Sequence, residues 1–252
     1  MTARARWRRG GPRRYRSGDP LSHALGEWPA LEALRHRPDR VEALLLDPTL
    51  AGERRARLVA AAAAAGVAWR DDDGTLRALR HRSDAMALAL VRTGDDALAP
   101  ERDHLALVGT RSAGNLGAAL RSALGFDVRD VALVGAGVDP WSPHALRASQ
   151  GARFALRVAR FADWTSYRRH HPTHDAALFA SPHPDRAGTA LPDWRPGRPA
   201  TLVFGPEWGD ASAAGVGADA TLVHIPQQSD LESHNLAVAV GIALYALRHG
   251  AC

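Results

Sequence analysis

The sequence predicts an α/β protein with two domains. Apolar runs of strand length alternate with helical patterns along the chain, and several of these runs end in turns of glycine and polar residues. The chain has 252 residues, of which 46% are hydrophobic, so it is long enough for two modest cores. No apolar run approaches the length of a membrane span, and we expect no association with a membrane.

The first predicted domain covers residues 21–92. Its predicted elements, in order, are a strand at 41–46, an alanine-rich helix at 52–65, a strand beginning at 66–69, a short helix at 76–80 and a strand at 85–91. This order predicts a small α/β module. Residues 93–103 contain the turn-forming and polar types typical of a linker, and a second domain is predicted over residues 104–252.

An arginine-rich segment precedes the first domain. Seven arginines come before the first acidic residue, namely Arg4, Arg6, Arg8, Arg9, Arg13, Arg14 and Arg16. Trp7 and Tyr15 lie among them, and Gly10-Gly11-Pro12 prevents a continuous helix. We expect residues 1–20 to form a disordered arm. Two interpretations stay open, namely contacts to nucleic-acid phosphates with aromatic stacking, and a solvated tail without a role.

The second domain opens with a strand followed by polar side chains. The apolar run 103–108 predicts a buried strand, and the small residues after it allow a sharp turn. Asn115 is expected to cap the following helix, which carries Arg121. Ligand sites gather outside the carboxyl ends of strands in open α/β sheets, so these two residues are possible site residues. A helix cap and a solvated arginine are the alternative.

Two later segments repeat this pattern. A strand at 201–204 ends in Gly205-Pro206-Glu207, and a strand at 220–225 ends in Pro226-Gln227-Gln228. After the second strand, Ser233 and Asn235 form a cap pair that opens an apolar helix at Leu236. We therefore expect three polar turns to converge at one edge of a sheet.

These motifs resemble those of the SpoU (TrmH-like) branch of the knotted SPOUT RNA methyltransferases, over residues 104–249. The matching positions are Asn115, Gly117 and Arg121 in the first motif, Gly205 and Glu207 in the second, and Ile225, Pro226, Ser233 and Asn235 in the third. Residues 146–152 are similar to an intervening Arg-x-Ser-x-Gly segment that includes Arg147. The chain departs from the pattern at His234, at Ala113 and around Gly209.

The resemblance implies a deep trefoil knot, a homodimer, and methyl transfer from S-adenosylmethionine to a ribose 2′-hydroxyl of RNA. It implies that backbone at Phe204, Gly205, Ile225, His234 and Leu236 holds the cofactor. Glu207, Ser233 and Asn235 would line the polar part of the site. Because a guanidinium stays protonated, we expect Arg121 to bind the target phosphate and stabilise the developing alkoxide, with Asn115, Ser233 or the phosphate itself helping to receive the proton.

The RNA substrate has more than one interpretation. The order of elements in residues 21–92 is similar to the L30e-like RNA-binding domain of ribosomal members of this family, which favours large-subunit ribosomal RNA. RNA binding by Arg4, Arg6, Arg8, Arg9, Arg13, Arg14 and Arg147 is expected, and the net charge of +5 is compatible with it. A transfer RNA substrate and a catalytically silent RNA-binding or ribosome-assembly factor are the alternatives. Housekeeping and antibiotic-resistance roles both stay open, and a bacterial cytoplasm is the expected location.

Residues 168–174, Arg-Arg-His-His-Pro-Thr-His, could suggest a metal site. No cysteine or carboxylate spacing completes such a site, so we expect a solvated loop and no metal. Cys252 is the single cysteine, so the sequence supports neither a disulfide framework nor a catalytic thiol. Gly135-Ala136-Gly137 lacks the full dinucleotide fingerprint, because Pro140 follows where a helix should begin.

Overall fold

A computed structural model describes residues 14–80, 84–181, 188–206, 215–216 and 219–250. The chain divides into two compact units. Unit 1 comprises Met1–Gly94 together with Asp139–Ala155, and unit 2 comprises Asp95–Val138 together with Leu156–Cys252. In the part of the chain that the structure describes, no helix is both long enough and apolar enough to cross a membrane.

Unit 1 is built on a four-stranded mixed sheet. Its elements are β1 (Leu21–Leu25), α1 (Glu27–His36), β2 (Val41–Leu46), α2 (Gly52–Ala64), β3 (Trp69–Asp71), α3 (Asp73–Arg80), β4 (Ala87–Arg92), α5 (Pro143–Ala148) and α6 (Ala152–Ala155). The strand order is β1-β4-β2-β3. The β1/β4 and β4/β2 pairs are antiparallel and the β2/β3 pair is parallel. Alternate residues of β2 and β4 point into a core with α1 and α2.

The structure confirms the predicted strand at 41–46 and the alanine-rich helix, and it adds two elements. Sequence periodicity missed β1 and α1: β1 carries a buried serine and histidine, and α1 has a proline in its first turn. Residues 1–20 were predicted to be disordered, and this prediction is wrong for the last residues of the segment. Tyr15 and Ser17 both donate hydrogen bonds to the Asp139 carboxylate, the second at 2.8 Å.

The segment 139–155 packs within unit 1, although the sequence placed it in the second domain. Trp141 is fully buried, and its indole N–H donates to the carbonyl of Gly94 at 3.1 Å. The guanidinium groups of Arg153 and Arg40 lie 4.2 and 5.3 Å from the centre of its ring. Periodicity could not anticipate this, because the contacts depend on residues distant in sequence.

Gly151 is required where this segment meets α1. Its φ of 82° lies in the left-handed region, and an added Cβ would lie 2.6 Å from Cβ of Glu32. No larger side chain fits without a shift of α1.

Unit 2 is built on a seven-stranded, wholly parallel sheet, which confirms the predicted α/β class. Its elements are β5 (His104–Val108), α4 (Ala113–Gly125), β6 (Asp130–Val134), β7 (Arg157–Phe161), α7 (Trp164–His170), β8 (Asp175–Phe179), β9 (Thr189–Ala190), β10 (Ala200–Phe204), β11 (Thr221–His224) and α8 (Leu236–His249). The strand order is β7-β6-β5-β10-β8-β11-β9, with every pair parallel. The strands β5, β6 and β10 are buried throughout, as expected for a sheet covered on both faces.

The predicted linker is not a free connection. Asp96 accepts a hydrogen bond from the amide of Val158 at 3.1 Å, and the Asp95 carboxylate lies 3.0 Å from the guanidinium of Arg160. Both acidic residues therefore belong to the edge of unit 2 beside β7.

The prediction of a solvated loop at 168–174 is wrong, because two of its histidines are buried. His171 and His174 are 5% and 3% exposed, and they pack against the fully buried His104 at the start of β5. Burial lowers the pKa of His104 and of His171 to about 4 and lowers that of His174. Two polar residues of this loop are thus buried inside the protein instead of facing water.

We expect His23 to make the protein sensitive to acid. This residue of β1 is 5% exposed, and burial lowers its pKa to about 4. The unfolded chain keeps the ordinary value near 6.5 and binds more protons as the pH falls below it. The stabilisation that comes from keeping His23 neutral and buried is therefore fully present above about pH 6.5, and it is lost as the pH falls toward 4.

Urea unfolding at pH 7.5 and pH 4 tests this prediction. Replacing His23→Gln should remove on the order of 3 kcal/mol of the difference in unfolding free energy between the two pH values. The exposed His144 is the matched control, and His144→Gln should keep the wild-type difference. Equal pH dependence in wild type and His23→Gln would contradict the assignment.

Candidate functional site

Three loops pack together at the carboxyl edge of the unit 2 sheet. Gly109 follows β5 with a φ of 63°, and a Cβ on it would lie 3.5 Å from Cβ of Pro206 after β10. The amide of Val138, beyond β6, donates to the carbonyl of Thr110 at 2.8 Å. Because the order of strands reverses between β5 and β10, this edge is where a crevice is expected in an open α/β sheet.

The helix after β5 begins earlier than predicted. Ser112 is its N-cap, and its hydroxyl accepts a hydrogen bond from the amide of Asn115 at 3.3 Å. The prediction that Asn115 is the cap is therefore wrong, and this residue lies in the first turn of α4. Its side chain is consequently available for contacts outside the helix.

Asn235 connects the first and third motifs. It is the N-cap of α8, as predicted, and its Oδ1 accepts from the amide of Ala237 at 2.9 Å. Its Nδ2 donates to Oδ1 of Asn115 at 3.1 Å. One amide side chain thus uses its acceptor to cap α8 and its donor to hold α4. Residues 120 positions apart meet in this contact.

Arg121 lies on the exposed surface of α4, six residues beyond Asn115. No acidic side chain of the described residues forms an ion pair with its guanidinium, whereas Arg129 and Arg157 of the same unit pair with Asp127 and Asp130. Among the described residues, the five donors of Arg121 are therefore available for an anion. Ser233 is also exposed, in the loop before Asn235, and Glu207 lies outside the described residues.

The five residues expected to hold a cofactor fall into two classes. Phe204 and Leu236 are buried, and the Phe204 ring stacks on Phe179 with centroids 4.8 Å apart, so only their backbone could contact a ligand. Gly205, Ile225 and His234 are half-buried in loops that follow strands or precede α8. This is the partial exposure that a ligand contact needs.

Thr110 is a possible site residue that sequence reasoning missed. Its side chain is 4% exposed, and its hydroxyl is buried with no hydrogen-bond partner among the described residues. Buried polar groups without a partner are rare and call for an explanation. Since Thr110 directly follows Gly109 at the carboxyl edge, a bound ligand could supply the missing partner. A threonine after a strand carries no signal in sequence that would separate it from an ordinary turn residue.

Two of the predicted RNA-binding arginines lie within the described residues. Arg147 is exposed in α5 of unit 1, and Arg14 is exposed just before β1. The other predicted positions, Arg4, Arg6, Arg8, Arg9 and Arg13, lie outside the described residues.

Known proteins are similar to this chain in sequence and in fold. Residues 103–245 match the model of the SpoU rRNA Methylase family. The chain is 33% identical over 135 residues to an uncharacterized tRNA/rRNA methyltransferase of Synechocystis sp., a match that covers 54% of this chain and 48% of that protein. The chain thus spans about half the length of that relative.

Two solved structures extend the similarity over nearly the whole chain. The SpoU methyltransferase AviRb from Streptomyces viridochromogenes, in complex with AdoMet, superposes with a TM-score of 0.75, 22% identity and 98% coverage of both chains. A structure described as an RNA 2′-O ribose methyltransferase gives a TM-score of 0.69 and 26% identity, covering 92% of this chain and 90% of that one.

The two roles of Asn235 can be separated by substitution. Asn235→Ala should lower the unfolding free energy by about 1 kcal/mol, because it removes an N-cap. Asn235→Asp keeps a cap acceptor but cannot donate to Asn115, so it should retain most of the stability. Urea denaturation of both variants measures the difference. Equal losses of unfolding free energy in the two variants would contradict a stabilising role of the N-cap that is separate from the hydrogen bond to Asn115.

Proposed function

The chain belongs to the SpoU rRNA Methylase family, and we propose that it methylates a ribose 2′-hydroxyl of RNA with S-adenosylmethionine, large-subunit ribosomal RNA being the substrate. The observation that carries this proposal is the hydrogen bond from Asn235 to Asn115. It brings the first and third motifs together at the carboxyl edge of a parallel sheet, six residues along α4 from an arginine with no acidic partner among the described residues.

The residues at this edge fit the cofactor. Half-buried backbone at Gly205 and Ile225 and the unpartnered hydroxyl of Thr110 are neutral hydrogen-bonding groups, which suit the many polar atoms of a nucleoside with an attached amino acid. When bound, the cofactor supplies a sulfonium methyl group that is already activated. We infer that backbone at Phe204, His234 and Leu236 completes its site, within the knotted chain path of the family. The AviRb structure, which has the same fold and contains AdoMet, supports the choice of cofactor.

The chain's own residues would mainly position the hydroxyl and ease its proton away. A guanidinium cannot accept a proton at neutral pH, so Arg121 acts through its donors. It binds the phosphate of the target nucleotide with two parallel hydrogen bonds and stabilises the charge that develops on the ribose oxygen. Asn115, Ser233 and Asn235 align the oxygen, and the target phosphate receives its proton directly or through the Ser233 hydroxyl. Glu207 lines the same site in this proposal.

Unit 1 supplies RNA binding in this proposal, as an L30e-like module. Trp28 and Trp69 are 51% and 40% exposed, and the guanidinium of Arg55 lies 5.2 Å from the centre of the Trp69 ring. Exposed aromatic rings next to arginines suit unpaired bases, which stack on both. Arg147 and the arginines of the amino-terminal arm add contacts to phosphate in the same proposal.

We also propose a homodimer formed through unit 2. Val238 and Tyr245 are one heptad apart on α8 and are 50% and 59% exposed, so this helix presents an apolar face in the single chain. Burial of that face against a second copy would remove it from water. A mass of one chain at micromolar concentration would contradict this proposal.

We propose the cytoplasm as the location of the protein, because an RNA substrate is found there.

Replacing Arg121→Lys should lower the turnover number by on the order of a hundredfold, because lysine keeps the charge but loses the planar pair of donors. Binding of S-adenosylmethionine should stay within about twofold, since Arg121 acts on the RNA. Arg129→Lys is the matched control and should keep wild-type turnover. Steady-state methylation of ribosomal RNA measures both variants. Near-normal turnover of Arg121→Lys would overturn the assigned role.

Nucleoside mapping identifies the substrate. Ribosomal and transfer RNA from cells lacking the gene are incubated with purified protein and labelled S-adenosylmethionine, and the modified nucleotides are located by mass spectrometry. A new 2′-O-methyl nucleotide in 23S ribosomal RNA is expected. A product confined to transfer RNA would support the second candidate, which the tRNA/rRNA name of the Synechocystis relative keeps open. RNA binding without any methylation would favour a catalytically silent factor.

A further inference from the structure

Three histidines meet at the amino edge of the unit 2 sheet, opposite the carboxyl edge that carries the proposed site. His104 begins β5, His171 is the C-cap of α7, and His174 immediately precedes β8. One ring nitrogen of each lies within 4.8 Å of the others, and all three side chains are buried. Each five-residue strand separates the two edges by about 16 Å. We call His104, His171 and His174 the histidine cluster.

The backbone fixes the tautomers of two of these rings. Nε2 of His104 lies 2.9 Å from the carbonyl oxygen of Ala99, and Nε2 of His174 lies 2.8 Å from that of Pro100. A carbonyl only accepts, so both Nε2 atoms carry the proton and both Nδ1 atoms present lone pairs. A histidine whose second ring nitrogen donates to a backbone carbonyl is the arrangement typical of metal ligands.

The two lone pairs are incompletely satisfied by neighbouring hydroxyls. Nδ1 of His104 faces the Tyr167 hydroxyl at 2.9 Å, and Nδ1 of His174 faces the Thr201 hydroxyl at 2.8 Å. The two hydroxyls are also 2.7 Å apart. These three contacts have two hydroxyl protons among them, so one contact lacks a proton. If a cation bound the two nitrogens, the hydroxyls could pair with each other.

His171 provides the independent sign of a ligand. Its Nδ1 is buried and has no hydrogen-bond partner among the described residues, and its ring centre lies 4.6 Å from that of His104 and 5.2 Å from that of His174. A buried imidazole nitrogen without a partner is costly unless something binds it. The sequence predicted no metal here because no cysteine or carboxylate spacing completes a site, whereas the third histidine, His104, lies 67 positions before His171.

The geometry points to a binding site for an imidazole-preferring divalent transition-metal ion, such as Zn²⁺, formed by the histidine cluster. Bonds of 2.0–2.1 Å to tetrahedral zinc would place the three nitrogens about 3.4 Å apart, so the rings need to close by at most about 1.5 Å. The hydroxyl of Tyr167 or a water molecule would supply the fourth ligand. The site would tie the α7–β8 connection to the start of β5.

Nearby charges do not oppose a dication. Arg168 donates to the carbonyls of His171 and His174, and its charge is matched by Asp219 at 2.7 Å. The buried Asp130 accepts from the amide of Ala99, whose carbonyl orients His104, and it pairs with Arg157. The cluster itself consists of neutral ligands, which favours zinc, copper or nickel over magnesium or calcium.

Zinc titration of the full chain tests this inference, which is independent of the proposed function. Metal-stripped protein is titrated with ZnCl₂ by calorimetry, and the melting temperature is measured with and without zinc. We expect one ion per chain and an increase of roughly 5–10 °C when free zinc is a hundredfold above the dissociation constant.

His171→Gln is the decisive variant, because it removes a ligand whose ring makes no hydrogen bond among the described residues. It should abolish the zinc-dependent rise in melting temperature while leaving the far-ultraviolet circular dichroism of the metal-free protein unchanged. His170→Gln is the matched control, since the ring of this exposed neighbour lies with Nδ1 2.8 Å from the carbonyl oxygen of Ser166 and is not part of the cluster. This variant should bind zinc as wild type does. Absence of zinc binding to the wild type, or equal binding by wild type and His171→Gln, would overturn the inference and leave the cluster a buried polar network.

Discussion

The pairing of β10 between β5 and β8 is the constraint on which the rest of unit 2 depends. Strands that are distant in sequence become neighbours there, and the direction in which successive strands are added reverses at the β5/β10 pair. Since all pairs are parallel, every strand end of one kind lies at one edge of the sheet. The turns after β5 and β10 must therefore lie side by side, as the contact between Gly109 and Pro206 shows.

The two edges of this sheet are chemically different. At the carboxyl edge, amide and hydroxyl groups remain partly exposed, and Asn115 and Asn235 hold each other in place at 3.1 Å. At the amino edge, the imidazole rings of the histidine cluster are buried and oriented by the carbonyls of Ala99 and Pro100. The first arrangement suits a polar ligand with many hydrogen-bonding atoms, and the second suits a small cation. One parallel sheet thus supports two kinds of site at opposite ends of the same strands.

Prediction from sequence was most accurate where a single element decides the outcome. The buried strands at 104–108 and 200–204 and the helix that opens after Asn235 follow from local hydrophobicity and capping chemistry, and the structure confirms them. Local chemistry was ambiguous at the start of α4, where Ser112 competes with Asn115 as the cap. It also failed at β1, because the buried Ser22 and His23 interrupt the apolar pattern that identifies a strand. A pattern of hydrophobicity predicts that a polar residue is exposed, because its hydrogen-bond partner is not visible in the sequence.

The sequence by itself determined the α/β class, the family motifs and the residue types of the proposed site, because these depend on composition, periodicity and short spacings. Only the tertiary structure decided which of those residues meet. The Asn235–Asn115 hydrogen bond, the packing of Trp141 in unit 1 and the gathering of His104 with His171 and His174 each join residues dozens of positions apart. Such contacts depend on the order of strands in a sheet, and no local pattern encodes that order. The burial of the histidines follows from the same cause.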